Sequence, residues 1–232
     1  VDTAEMYGDA ELVVAEAFEG RRDEVFLVSK VLPSNATYAG TIAACERSLH
    51  RMGTDYLDCY LLHWRGSVPL RETMRALEKL LDDGKIRALG VSNFAVSDLE
   101  EAQAALAHTK LACNQVLYNL AERTVEDHEL PWCRAHEVAL VGYTPLGRGD
   151  WTDRPGARVL EEIGRAHGIT ARAVILAFLT RDPSAFTIPK ASTVAHVEEN
   201  AAAGELRLSE DEIARIDAAF PKRKRRGGLP TL

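Results

Sequence analysis

Tyr56-Leu-Asp-Cys-Tyr-Leu-Leu-His63, Leu70-Arg-Glu-Thr-Met-Arg-Ala-Leu-Glu-Lys-Leu-Leu81 and Ile86-Arg-Ala-Leu-Gly-Val-Ser92 follow one another along the chain, and their order decides the fold. The outer two are short apolar runs of the kind that suit strands buried on both faces. In the middle one, Met74, Leu77 and Leu81 fall at three-to-four spacing, on one face of a helix that stops at Asp83-Gly84. Strand, helix and strand at this spacing predict a right-handed βαβ unit and a parallel sheet.

The same alternation extends both ways. Strand-like runs lie at Glu24–Lys30, Ala112–Tyr118, Ala139–Tyr143 and Phe186–Lys190, and Val1–Thr3 reads as the tail of another. Helical patterns cover Ala10–Phe18, Thr41–Met52 with Gly53 as its stop, Thr124–His136, Val159–His167 and Ala171–Thr180. Two more open on capping boxes, Ser97–Leu106 with Glu100 and Ser209–Phe220 with Glu212. No repeat, low-complexity stretch or Pro/Gly-rich linker interrupts the pattern, so residues 1–232 read as one domain, with 221–232 as a basic tail. The alternation fits a closed barrel or a doubly wound sheet. No GxGxxG follows any strand, so a Rossmann dinucleotide site is not indicated.

The chain has 232 residues, 46% hydrophobic and 27% charged, the composition of an ordinary globular protein. No uncharged apolar run reaches the ~18 residues a membrane helix needs, and no basic-then-apolar leader opens the chain. Cys45, Cys59, Cys113 and Cys133 lack the clustered spacing of a zinc site or disulfide framework. Reduced, buried thiols in a cytoplasmic protein are the expectation, with no metal. Lys222-Arg-Lys-Arg-Arg226 reads as a solvated basic tail. Setting its five charges aside takes the remainder from −7 to −12, which argues against nucleic acid as the partner.

The polar residues gather at strand ends. Lys30, His63, Ser92-Asn93, Tyr143 and Lys190 end strands, Asp2 and Tyr7 lie at or just past the first, and Asn114 and Gln115 sit within another. Each has a structural reading: a satisfied histidine, a snorkelling lysine, a packed tyrosine, a capping aspartate. Together they hold a carboxylate, a phenol, an ammonium and an imidazole, and in a β/α barrel the strand ends share one rim. An ammonium beside a phenol stabilises the phenolate and lowers its pKa, a carboxylate keeps the ammonium charged, and a neutral imidazole can donate to a substrate oxygen. Such a set could protonate a carbonyl oxygen.

These residues resemble the aldo-keto reductase family, in its short-loop bacterial form. Asp2-Thr-Ala-Glu-Met-Tyr-Gly8, Ser29-Lys30, Leu61-Leu-His-Trp64, Lys85-Ile-Arg-Ala-Leu-Gly-Val-Ser-Asn-Phe94, Gly142-Tyr-Thr-Pro-Leu-Gly-Arg-Gly149 and Ile188-Pro-Lys190 occur in the family's order, over Val1 to about Phe220. The resemblance implies a (β/α)8 TIM barrel of the α/β class. It also implies hydride transfer between a nicotinamide cofactor, usually NADPH, and the carbonyl carbon of an aldehyde or ketone. By position, Tyr7 would be the general acid, Lys30 would lower its pKa with Asp2 as partner, and His63 would orient the carbonyl. Ser92, Asn93 and Gln115 would hold the nicotinamide carboxamide, and Tyr143 would stack on the ring. Thr144, Leu146 and Gly147 would line the pyrophosphate path. Lys190, Ser192 and Thr193 would meet the adenosine phosphate, and Glu199 and Asn200 the adenine.

The sequence departs from that pattern in two places. His196 stands where the family often carries an arginine, and imidazole lacks the bidentate fork for a 2′-phosphate, which leaves room for NADH. Seven strands can be counted where the family has eight, so a barrel lacking its first strand and helix and most of its second strand is expected. Exposed apolar surface near the Val25 strand, or a partner covering it, should accompany that gap. Gly149–Pro155 is short, and Trp64 and Trp151 are expected at the mouth of an open pocket for small carbonyl substrates. The chain is expected to be a monomer or weak homo-oligomer that contacts neither membrane nor nucleic acid. The alternatives to an active reductase are a cofactor-binding regulatory or assembly subunit and a truncated, inactive chain.

Overall fold

The computed structural model describes the chain apart from Arg148, Asp150, Asp153, Arg154 and Arg226. Its contacts divide it into two units, residues 1–114 and 115–232. In the first unit, β1 (Val28–Val31), β2 (Cys59–Leu62) and β3 (Leu89–Ser92) alternate with four helices. These are α1 (Ala10–Ala17), α2 (Tyr38–Met52), α3 (Leu70–Asp82) and α4 (Val96–Ala105). The strands pair in parallel, Lys30 beside Leu61 and Leu61 beside Gly90. Every residue of β2 and β3 is buried, which is why these segments read as unbroken apolar runs and not as alternation. The expected strand tail at Val1–Thr3 is a single parallel bridge from Asp2 to Val28.

β4 (Cys113–Leu117) carries the chain from the first unit into the second. The second unit holds α5 (Glu129–Ala135), β5 (Ala139–Tyr143), α6 (Ala157–His167), α7 (Ala171–Leu179), β6 (Ala185–Thr187), α8 (Val194–Ala202) and α9 (Glu210–Ala219). There β5 and β6 pair in parallel, Val141 beside Phe186, so this unit too is of the α/β class.

Helix ends follow local chemistry. Thr37 Oγ1 accepts from the Gly40 amide at the start of α2, and Gly53 closes that helix at φ 61°, the left-handed turn that only a residue without Cβ adopts freely. The Ser209/Glu212 box forms as expected at α9.

Five expectations need correction. α4 begins at Val96, not on a Ser97/Glu100 box, and the Asp98 carboxylate accepts from the Ala95 amide instead. On α3 the buried stripe closes on Leu80, and Leu81 is only half-buried. Thr124–His136 is not one helix but a short 3-10 turn at Thr124–Glu126 followed by α5. Pro131 explains the break: in one long helix it would clash with a preceding carbonyl, whereas in the first turn of α5 its missing N–H costs nothing. α8 was not expected, since its sequence buries no face.

The fifth correction is the basic tail, which is anchored in the second unit. Lys222 Nζ lies 2.6 Å from Asp127, and Arg225 donates at 2.8 and 3.1 Å to Glu129, which is fully buried. A buried carboxylate requires a partner, and Arg225 supplies it. Nearby, Glu126 collects Arg123, Arg181 and the Tyr118 hydroxyl. Burial alone would raise its pKa, but these donors outweigh it and hold the carboxyl down at about 2. The sequence showed five like charges but not the buried acid beneath them. Arg226 lies outside the described residues.

In the first unit Leu12, Val13 and Phe26 are exposed, Phe26 by 64%. All four cysteines are free and buried, with the Cys59 and Cys113 sulfurs 4.0 Å apart. Among the described residues no helix is long and apolar enough to cross a membrane.

Candidate active site

In the first unit the chemistry starts at the end of β1. Lys30 is fully buried on a strand whose neighbours are apolar, so its ammonium must find its partners nearby. It donates to Asp2 Oδ1 at 2.5 Å and to the Thr3 carbonyl at 2.8 Å. The Asp2–Val28 bridge fixes that aspartate: Thr3 N donates to Val28 O and Val28 N to Val1 O, both at 2.9 Å. Burial pulls the Lys30 pKa below the ordinary lysine value while the Asp2 charge pulls it back up.

Tyr7 sits in the turn after this bridge, with its ring centroid 5.4 Å from Lys30 Nζ. Its hydroxyl lies 3.3 Å from Nε2 of His63, with the rings edge to face. His63 follows β2 and is itself buried. Burial first, then the Lys30 charge, push its pKa down to about 4, so the imidazole is neutral near pH 7. A neutral imidazole is a hydrogen-bond donor through one nitrogen, the form suited to a carbonyl oxygen. Trp64 packs against it at 4.9 Å and remains partly exposed. The structure thus brings Asp2, Tyr7, Lys30, His63 and Trp64 together.

Ser92 ends β3 and Asn93 follows in the left-handed region at φ 61°, which asparagine tolerates better than most residues. Asn93 Nδ2 donates to the His63 carbonyl at 3.3 Å, tying the two strand ends together. Asn114 has a role the sequence did not reveal. Fully buried, it accepts from Phe94 N and donates to Phe94 O, pinning the turn that carries Asn93. An asparagine inside an apolar strand was the available signal, because a buried amide must be paired.

In the second unit Gln115 is buried on β4 and Tyr143 ends β5, with burial raising its phenol pKa. Thr144, Leu146 and Gly147 form the turn after β5. Leu146, Gly147 and Trp151 line a crevice with Asn119 and Phe220. Arg148 of the expected motif, and part of the Gly149–Pro155 loop, lie outside the described residues. Lys190, Ser192 and Thr193 are exposed just ahead of α8, and Thr193 Oγ1 caps that helix by accepting from the His196 amide at 3.3 Å. A nine-residue helix opening beside a lysine suits a phosphate, since its first amides point outward with the dipole behind them. Asn200 presents a buried Oδ1 with no hydrogen-bond partner, an acceptor that suits an exocyclic amino group. Glu199 instead meets Thr170 and Arg172. Glu199 apart, these residues have the chemistry that could hold the adenosine end of a nicotinamide dinucleotide.

Residues 1–220 match the aldo/keto reductase family model. The chain is 47% identical over 234 residues to methylglyoxal reductase YeaE of Escherichia coli, covering 99% of this chain and 82% of that protein. It is 38% identical over 222 residues to the glyoxal reductase of Bacillus subtilis, covering 94% and 77%. Among solved structures, an aldo/keto reductase of Klebsiella pneumoniae in complex with NADP and acetate superimposes with a TM-score of 0.91 at 44% identity. The match covers all of this chain and 83% of that one. The family model spans nearly the whole chain and the relatives and solved structure cover it at 38–47% identity: the chain belongs to the aldo/keto reductase family.

Proposed function

We propose that this chain is an NADP(H)-dependent reductase of small aldehydes and ketones, in which Tyr7 delivers the proton. The observation that carries this reading is the placing of the Tyr7 hydroxyl 3.3 Å from a neutral His63 with the buried Lys30 ammonium beside its ring. A reduced nicotinamide, when bound, supplies the hydride. His63 Nε2 and the Tyr7 hydroxyl hold the carbonyl oxygen. As negative charge grows on that oxygen, the Tyr7 Oη proton moves to it. The tyrosinate left behind is stabilised by Lys30, which Asp2 keeps charged and in place. Ser92, Asn93 and Gln115 would hold the carboxamide, and Tyr143 would stack on the ring. Thr144, Leu146 and Gly147 would receive the diphosphate, Lys190, Ser192 and Thr193 the adenosine phosphate, and Asn200 the adenine, with Glu199 beside it once released from Thr170 and Arg172.

Trp64 beside His63 gives the substrate an apolar flank and suits compact carbonyls. Two relatives are named for methylglyoxal and glyoxal, which supports small dicarbonyls as the first substrates to try. NADPH is the favoured cofactor because Lys190 offers a phosphate-pairing charge, and His196 in place of an arginine narrows its margin over NADH. Four free, buried thiols favour a reducing compartment such as the cytoplasm.

The test is consumption of NADPH and NADH, in parallel, with a panel of small aldehydes and dicarbonyls. The expected result is turnover with NADPH that falls by roughly 10²–10⁴ in Tyr7→Phe while cofactor binding persists. Cofactor binding with no turnover across the panel would favour a binding or regulatory subunit instead.

A further inference from the structure

Thr144 stands in the left-handed backbone region at φ 52°. For a β-branched residue this is a strained conformation, and strain of this kind persists only where neighbours hold it. Its carbonyl accepts from the Gly147 amide at 3.0 Å, which closes the turn. The same carbonyl also accepts from Nδ2 of Asn119 at 3.3 Å. Asn119 is itself buried and fixed from the other side. Its Oδ1 accepts from the Ala121 amide at 2.9 Å and the Glu122 amide at 3.0 Å, inside a tight turn where Asn119 and Glu122 exchange backbone hydrogen bonds. This asparagine therefore spans two loops and lies against the crevice that Leu146 and Gly147 line.

We infer that Asn119 is a positioning residue for cofactor capture: its amide hydrogen bond holds Thr144 in the left-handed turn that aims the Leu146–Gly147 segment at the diphosphate. The inference rests on the proposed dinucleotide function. It assigns Asn119 no contact with the reacting atoms. Without the donor, the turn relaxes toward ordinary backbone angles, and binding must then rebuild it at the expense of affinity.

Two variants separate the roles. Asn119→Asp keeps an oxygen for the Ala121 and Glu122 amides, so the 119–122 turn persists, but it has no donor for Thr144. Asn119→Ala removes the donor without adding charge. With NADPH titrated against tryptophan fluorescence, both should raise Kd by about tenfold while kcat at saturating NADPH stays within about twofold. The Asp penalty should survive at ~0.5 M salt, where repulsion of the diphosphate would be screened. In a Thr144→Gly background, where the left-handed turn carries little strain, the Asn119→Ala penalty should shrink to less than about threefold. Wild-type Kd retained by both variants, kcat lost at unchanged NADPH affinity, a salt-sensitive Asp penalty without an Ala penalty, or an undiminished penalty in the Thr144→Gly background would each overturn the inference. Failure of the wild-type chain to bind NADPH would instead remove the functional reading on which it rests.

Discussion

Lys30→Met isolates the energetics of the candidate active site. The Lys30 side chain is fully buried and the Asp2 side chain is 14% exposed, with 2.5 Å between their charged atoms. Methionine keeps most of the side-chain volume, so no large cavity opens and the loss is electrostatic. The variant removes the ammonium from a mostly buried carboxylate, and breaking a buried pair from one side costs about 3–5 kcal/mol. Asp2→Asn should cost less, about 1–3 kcal/mol, because the ammonium keeps the Thr3 carbonyl and an amide oxygen as acceptors. In the double variant a methyl group faces a neutral amide and neither charge remains. The two penalties should therefore fail to add by at least ~1.5 kcal/mol. Urea unfolding of the four proteins, followed by tryptophan fluorescence, reads this directly. In thermal melts Lys30→Met should lower Tm by roughly 6–20 °C for a chain of this size. Penalties that add to within ~0.5 kcal/mol would show that the contact carries no coupling, and the account of Asp2 as the group that keeps Lys30 charged would fall with it.

Two further outcomes follow from named groups. With its pKa held at about 4, His63 should titrate in NMR well below an ordinary histidine. Between pH 6.5 and 4 the unfolded chain takes up a proton that the folded chain refuses, so stability should decline across that window. A midpoint near 6.5 would mean that burial does not govern this imidazole. Arg225→Ala should destabilise the fold by about 1–3 kcal/mol in chemical denaturation, since Glu129 is fully buried, whereas Lys224→Ala at an exposed position should change little. Equal effects would restore the picture of a free basic tail.

Much of this protein was legible in its sequence because the signals are local. A strand buried on both faces must be apolar throughout, so β2 and β3 announced themselves, and Gly53 marked the end of α2 because its φ demands it. The chemistry at the strand ends was visible too: a lysine or histidine that closes an apolar run stands out by polarity alone. Where sequence reading failed, the deciding partner was far away in the chain. Arg225 belongs to Glu129, 96 residues earlier, and no run of like charges reveals that. Asn114 stood out as an amide inside an apolar strand, but its pairing with Phe94, like that of Asn119 with Thr144, exists only in the fold. α8 lacked an apolar face to announce it.

The amino-acid sequence alone therefore determined the alternation of strands and helices, the family, and which side chains could carry proton transfer. Only the tertiary structure decided their state. It stacked the burial and positive charge around His63 that keep it neutral, and set Asp2 against Lys30 through a single bridge to Val28. It also handed the strained turn at Thr144 to an asparagine from another loop. The physical reason is range: propensity and periodicity act over a few residues, whereas desolvation and ion pairing depend on groups that only folding brings within a few ångströms.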